Sequence, residues 1–236
     1  MSKIVWDATG ERAYETGTDH GVLYVQKSDG TYENGVAWNG LTAVTESPDG
    51  AEPNDLYADN IKYASLRSAE TFGGTIEAFT YPDEFGECDG TAAPVNGVYL
   101  GQQKRKPFGF VYRTLIGNDT ASDEDDGYKL HIWYNCTASP SEKSYETVND
   151  SPDAITFSWE VDTTPVPVTG TKFKPVATIT IDSTKFVEAA DKEKLKALED
   201  MLFGTDGTGS AEGSNPTLPT PAVVLSTLGY VAPVGG

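Results

Sequence analysis

Apolar and polar residues alternate with period two along most of the chain, the pattern of half-buried strands. In Ile155–Val161, Ile155, Phe157, Trp159 and Val161 hold one face, and Thr156, Ser158 and Glu160 the other. Ala177–Ile181 repeats the pattern. From Tyr128 to Cys136 one face reads Tyr128, Leu130, Ile132, Tyr134 and Cys136, and the other Lys129, His131, Trp133 and Asn135. Phe108, Phe110 and Tyr112 share a face within Phe108–Ile116. Ile76–Tyr81, Val22–Gln26 and Val36–Val44 complete the predicted strands. Such strands need another layer over their apolar faces, so the fold class is mainly β, a sandwich or barrel. One segment has a helical period instead. Leu195, Leu198 and Leu202 recur in a Lys/Glu/Ala-rich stretch and predict one flanking α-helix over about 192–203. Asp191 is its expected N-cap, and Gly204 stands just past its end. Glu199 and Asp200 oppose the helix macrodipole, at a cost of roughly a few tenths of a kcal/mol unless they are paired.

The connections read as long loops. Glu46–Asp59 carries five carboxylates, two prolines and a glycine. Pro82–Gly97 is similar, and Asn118–Gly127 contains the run Ser122-Asp123-Glu124-Asp125-Asp126. Long loops of this kind are uncommon unless they bind something or are disordered. After Gly204 the composition shifts to Gly, Ser, Thr and Pro, and a short apolar tail, 222–234, follows. With no internal repeat and no second core, residues 1–204 read as one β domain and 205–236 as a linker and tail. Three fates are open to that tail: a strand folding back on its own domain, a disordered end, or an arm on a neighbouring subunit. An arm would place Val223, Leu225 and Tyr230 against the neighbour.

Charge narrows the function. The chain of 236 residues has 17 Lys and Arg against 36 Asp and Glu, a net charge of −19. That argues against gripping nucleic acid by its backbone, which needs a basic face. It leaves open a protein that nucleic acid passes without sticking. No apolar run has the length of a membrane span, and Met1–Asp7 lacks the apolar core of a signal peptide. Two cysteines, Cys88 and Cys136, give no disulfide framework and read as separate thiols. A soluble protein made in a reducing cytoplasm is the expectation, and the sequons at Asn118 and Asn135 then carry no meaning.

Catalytic chemistry finds little support. His20 sits in a Gly/Thr/Asp turn, and His131 alternates with Lys129 and Trp133; both read as structural. No nucleophile elbow, P-loop or zinc motif occurs. Gly204, Gly207, Gly209 and Gly213 follow a helix rather than a strand, so they read as a linker rather than a phosphate cradle. Asp123, Asp125 and Gly127 match only a fragment of a calcium loop. The loop carboxylates define no glycosidase pair. No catalytic residue, cofactor or metal site is expected.

Several segments, in order and spacing, resemble a known family. They are Gly35–Thr42, Glu46–Glu52, Leu56–Tyr63, Thr75–Phe85, Gly117–Thr120, Tyr128–His131, Ser139–Tyr145, Ile155–Val161 and Thr178–Thr184. From about Trp6 to Gly204 the chain resembles the major tail proteins, or tail tube proteins, of long non-contractile-tailed bacteriophages, especially those of Gram-positive hosts. The tail after Gly204 matches less well. The resemblance implies a compact β-sandwich or barrel with a flanking helix. It implies homo-oligomeric rings, usually hexameric, stacked into a hollow tube that carries DNA from capsid to host. It also implies a virion protein, assembled in the host cytoplasm, whose partners are itself, a tape-measure protein and tail-end proteins.

Under that reading an acidic lumen lets DNA slide, and Glu77 is the expected lumen-facing carboxylate. Glu46, Asp49, Glu52, Asp55 and Tyr57 are expected in contacts between rings or subunits, against the basic Lys104, Arg105 and Lys106. The rivals are a non-catalytic secreted or surface β-sandwich binding module, for instance for carbohydrate, and a β-rich hydrolase using loop carboxylates.

Overall fold

The computed structural model describes residues 3–120, 127–145, 147, 153–207 and 212–231. In chain order the strands are β1 (Tyr14–Val25), β2 (Val36–Trp38), β3 (Leu41–Gly50), β4 (Pro53–Ala58), β5 (Ile61–Arg67) and β6 (Glu70–Ala78). They continue as β7 (Ala92–Val95), β8 (Val98–Leu100), β9 (Phe108–Gly117), β10 (Tyr128–Ala138), β11 (Phe157–Thr163) and β12 (Thr178–Asp182). Two helices follow, α1 (Ala189–Phe203) and α2 (Pro221–Thr227). An eight-stranded antiparallel sheet runs β2-β1-β9-β10-β11-β6-β3, with β12 paired to β10 off that path. The β4–β5 and β7–β8 hairpins stand as separate ribbons.

The large sheet bends at β10. Residues Lys129–Trp133 pair with β12, while Cys136–Ala138 pair with β11. The exchange of neighbours occurs at Asn135, which has φ 48° and lies in a register shift between Trp133 and Cys136. This β-bulge inserts an extra residue and turns the following side chains to the other face. Cys136 therefore joins Trp133 in one core, instead of sharing a face with Leu130 and Ile132 as strict alternation predicts. The bend lets β11, β6 and β3 cover β1, β9 and β10, with Leu23, Phe108 and Phe110 meeting Ile76, Trp159 and Val161 in a single core. Trp38 and Trp159 touch across it with ring centroids 5.5 Å apart. The strand order leaves β2 and β3 at its two ends, so the barrel is not closed.

A second core lies on the opposite face of β1, β9, β10 and β12. There Val22, Tyr24, Val111, Leu130, Ile132, Tyr134 and Ile181 pack against Leu195, Leu198 and Leu202 of α1 and Val224 of α2. Tyrosine hydroxyls pin this helical layer. Tyr24 donates to the Leu202 carbonyl, Tyr134 to the Pro219 carbonyl at 3.0 Å, and Tyr128 to the Glu199 carboxylate. Glu199 is thus paired, as is Asp200, which accepts from Lys196 at 2.7 Å. That satisfies the two carboxylates at the unfavourable end of the macrodipole. The helix starts earlier than its leucine period indicates, with Glu188 at the N-cap and Asp191 inside the first turn. It ends at Gly204, whose φ of 77° suits glycine.

Four sequence expectations are revised. Glu46–Asp59 is not a loop: it completes β3 and forms β4, which turns through Asp59 and Asn60, both at positive φ, into β5. A ribbon with both faces in solvent shows no apolar alternation, so its composition imitates a loop. Pro82–Gly97 likewise contains a 3-10 turn, Asp83–Glu87, and β7. Within the tail, Pro221–Thr227 form a helix, where a fold-back strand was one of three expected fates: Pro221 begins it, and Val224 and Leu228 lie one turn apart on the face that meets the core. Residues ahead of it also pack on the domain. The Gly35 amide donates to the Pro216 carbonyl at 2.9 Å, and Leu218 is buried. The predicted Val36–Val44 strand divides at Asn39–Gly40, where Gly40 has φ 76°. The acidic 123–126 run lies outside the described residues.

The helical layer can be tested directly. Leu198→Ala removes a fully buried side chain and is expected to cost about 2–5 kcal/mol in urea unfolding. Tyr24→Phe, which keeps the packing but loses the bond to Leu202, is expected to cost about 1 kcal/mol.

Candidate assembly surfaces

Cross-strand register fixes which side chains share each face of the β3–β6–β11 layer. Val44, Ile76 and Trp159 point into the core. Their neighbours Thr45, Ser47, Asp49, Thr71, Thr75, Glu77, Ser158, Glu160 and Asp162 point the other way, to solvent. Among these outward positions are carboxylates at Asp49, Glu77, Glu160 and Asp162, and no Lys or Arg. Glu77 thus lies on the polar outer face. This layer stands between the shared core and solvent, on the far side of the molecule from α1 and α2.

Glu46 sits elsewhere. It pairs in register with Gly74 and turns inward, where its Oε1 accepts from Tyr112 Oη at 2.8 Å and Trp133 Nε1 at 3.3 Å. His131 Nδ1 lies 3.3 Å from the same oxygen, off the line of a well-formed hydrogen bond. His131 is buried, stacks on Tyr112 with ring centroids 4.6 Å apart, and places Nε2 3.1 Å from Thr114 Oγ1. On its other side Glu15 accepts from Thr114 at 2.6 Å and Lys129 at 2.5 Å. The cluster joins β1 to β3 through side chains where the barrel lacks a backbone ladder. The His131 imidazole, with the Tyr112 and Trp133 donors, holds the Glu46 carboxyl below its ordinary value. The Lys129 ammonium, with Thr114, does the same for Glu15. His20 has φ 52°, stays exposed, and lies 3.0 Å from Asp19, which the Arg113 guanidinium holds in a bidentate pair at 2.8 Å.

The other expected contact residues divide. Asp49 caps the Gly50 amide at 2.7 Å. Asp55 is bound within its own ribbon, by Lys62 at 2.7 Å and Ser65 at 2.7 Å, and Glu52 is exposed. Tyr57 is 70% exposed, beside Ile61, Tyr63 and Leu66, which are also exposed. Sequence reading missed those last three, although apolar residues on both sides of Asp59-Asn60 mark a hairpin arm. Lys104–Lys106 is mostly spent inside the chain. Arg105 reaches the Asp89 carbonyl at 3.0 Å, Lys143 binds the buried Asp89 carboxylate at 2.6 Å, and Lys106 pairs with Glu87 at 2.5 Å. In the tail, Val223 is exposed, and the Tyr230 ring meets Phe173 at 5.4 Å. Cys88 and Cys136 are both free and buried; burial pushes the Cys88 thiol up to about 12. Among the described residues no His, Cys, Asp and Glu grouping could hold a metal ion, and no helix is long and apolar enough to cross a membrane.

The described residues thus form an unclosed, bent β sheet with a polar acidic outer layer, two projecting ribbons and a helical cover on the other side. The family model for phage tail tube protein matches residues 14–205. The chain therefore belongs to the phage tail tube family, and its role is that of a structural component of the virion tail tube. No curated protein matches the chain.

Two outcomes follow from the internal contacts. A carboxyl with a lowered folded value contributes stability above its unfolded value, near 4.3 for Glu, which is lost as pH falls through the folded value. Unfolding free energy is thus expected to drop on acidification below about pH 5, and Glu46→Gln to be less stable at pH 7 with a shallower acid limb, read by urea titration. Arg105→Glu sets a carboxylate beside buried Asp89 and is expected to cost about 3 kcal/mol, while Lys104→Glu stays within about 0.5 kcal/mol, read by melting of the monomer.

Proposed function

We propose that copies of this chain close into rings, hexameric as in the resembling proteins, and that the rings stack into the conduit through which DNA leaves the capsid. The carrying observation is the outer face of β3–β6–β11, which is hydroxyl-rich and carboxylate-bearing with no cation. Turned toward a channel, Asp49, Glu77, Glu160 and Asp162 repel phosphates, and every copy around the ring repeats them. A channel wall with no Lys or Arg offers no counterion release, so DNA gains nothing by stopping. Charges across a channel wider than a Debye length of about 10 Å are screened, so the repulsion acts mainly on DNA close to the wall.

In this reading the helical layer faces outward, and the apolar β4–β5 arm, with Tyr57 and Asp55, reaches a neighbouring copy. Val223 and Leu225 on α2 are outer contact positions, and Lys104 remains the cation of its cluster available to another subunit. Tape-measure and tail-end proteins are the partners at the bore and tip of the tube, and assembly takes place in the host cytoplasm.

Electron microscopy of the purified protein at rising concentration is expected to show rings or tubes. A variant carrying Glu77→Lys, Glu160→Lys and Asp162→Lys is expected to assemble and to retain DNA in a salt-dependent way, where wild-type tubes do not. Monomers at every concentration contradict the assembly. Variant tubes as indifferent to DNA as the wild type contradict the lumen assignment.

A further inference from the structure

We propose that the open edge of β2 takes the Lys3–Trp6 segment of a second copy of this chain as an added strand. The proposal rests on self-association and names the surface and the segment that perform it.

The acceptor is the end strand of the large sheet. β2 pairs with Gly21–Leu23 of β1 on one edge, and among the described residues no strand pairs with the other. Its neighbouring residues Val36 and Ala37 line different cavities, and Trp38 lines the same one as Ala37. Ala37, opposite Val22, lines a cavity of about 740 Å³ with Leu202, Phe203 and Pro216. Val36, opposite Leu23, lines one of about 510 Å³ with Val25, Ala93 and Tyr99. The Gly35 amide just before β2 is taken by the Pro216 carbonyl at 2.9 Å, so the open stretch is Val36–Trp38. A short open edge with a cavity on each face can take an extended segment: the backbone supplies hydrogen bonds and alternate side chains enter the cavities.

The donor is a stretch of consecutive large apolar side chains left outside the fold at its N-terminal side. Ile4, Val5 and Trp6 are 68%, 69% and 74% exposed and belong to no helix or strand. The residues that follow are anchored. Gly10 donates to Asp119 Oδ1 at 2.9 Å, the Glu11 amide to the Ala8 carbonyl at 3.0 Å, and Arg12 Nε to the Asp7 carbonyl at 3.1 Å. In an added strand Val5 would enter one cavity and Ile4 and Trp6 the other.

Charge selects the same pairing. The second cavity is rimmed by Glu33, Asp83, Glu84 and Glu87. Glu33 and Glu87 are answered by Lys27 and Lys106. Asp83 and Glu84 have no ion-pair partner among the described residues, and Lys3 stands next to Ile4.

The occupant belongs to another copy because of where each part lies. The Asp119 anchor holds the segment at the Tyr14 end of β1, whereas β2 pairs about eight residues further along, roughly 26 Å away. Donor and acceptor at opposite ends of one strand make a heterologous, head-to-tail contact, which either closes into a ring or extends a filament.

The test uses the full chain with Val5→Cys and Ala37→Cys. Under mild oxidation, assembled protein is expected to give a disulfide-linked ladder of dimers and higher species, while the control pair Val5→Cys and Lys174→Cys gives none. Trp6→Asp is expected to melt with the wild type and to need at least tenfold more protein to assemble. Tubes that form without the ladder, or a bridge confined to single chains, overturn the proposal and leave the tube reading standing. So does a Trp6→Asp variant that assembles like the wild type, or one whose monomer is itself destabilised. Failure of the wild type to self-associate at all overturns both.

Discussion

Everything in this structure depends on strands that are apolar on both faces. In β1, Leu23 and Val25 point to one core while Val22 and Tyr24 point to the other, and β9 and β10 do the same with Phe110 and Val111, and Trp133 and Ile132. Such strands need two covers. One is the helical layer. The other is the sheet's own far end, folded back over β1 and β9. The order of layers follows: helices, a doubly buried sheet, and a second sheet layer with one face left in water.

The fold-back is possible because β10 changes neighbours partway along. Asn135, in the left-handed region, lets β12 hold the first half of the strand and β11 the second. The same bulge delivers Trp133 and Cys136 to one core and Tyr134 to the other, where its hydroxyl holds the chain before α2. The second layer is covered on its inner side alone, so its outer positions must be polar. In this chain they are hydroxyls and carboxylates without cations. The surface that the fold requires to be polar is the one we propose to face the DNA.

The central strands, the single long helix and the mainly β class were legible from periodicity, because those segments have a buried face. The β4–β5 and β7–β8 ribbons were not, because both their faces meet solvent and alternation carries no signal there. Polar residues misled in the same way: Glu46 looked like a loop carboxylate but is turned inward to Tyr112 and Trp133, contacts between residues far apart in sequence. Arg105 and Lys106 formed a basic run in sequence but are answered by Asp89 and Glu87 within the domain. The C-terminal helix was hidden by Val and Leu residues that suit a strand as well, and only Pro221 at its first position marks the start. Glu77 lies on a polar face because Ile76 and Ala78 flank it in the core.

The central claim concerns orientation: one face of this molecule looks into a channel. A cryo-electron-microscopy reconstruction of tubes assembled from the purified chain measures it directly. The account predicts that Glu77, Glu160 and Asp162 line the bore and that α1 lies at the outer radius. A reconstruction with α1 against the bore, or with the β3–β6–β11 face on the outside of the tube, would contradict it.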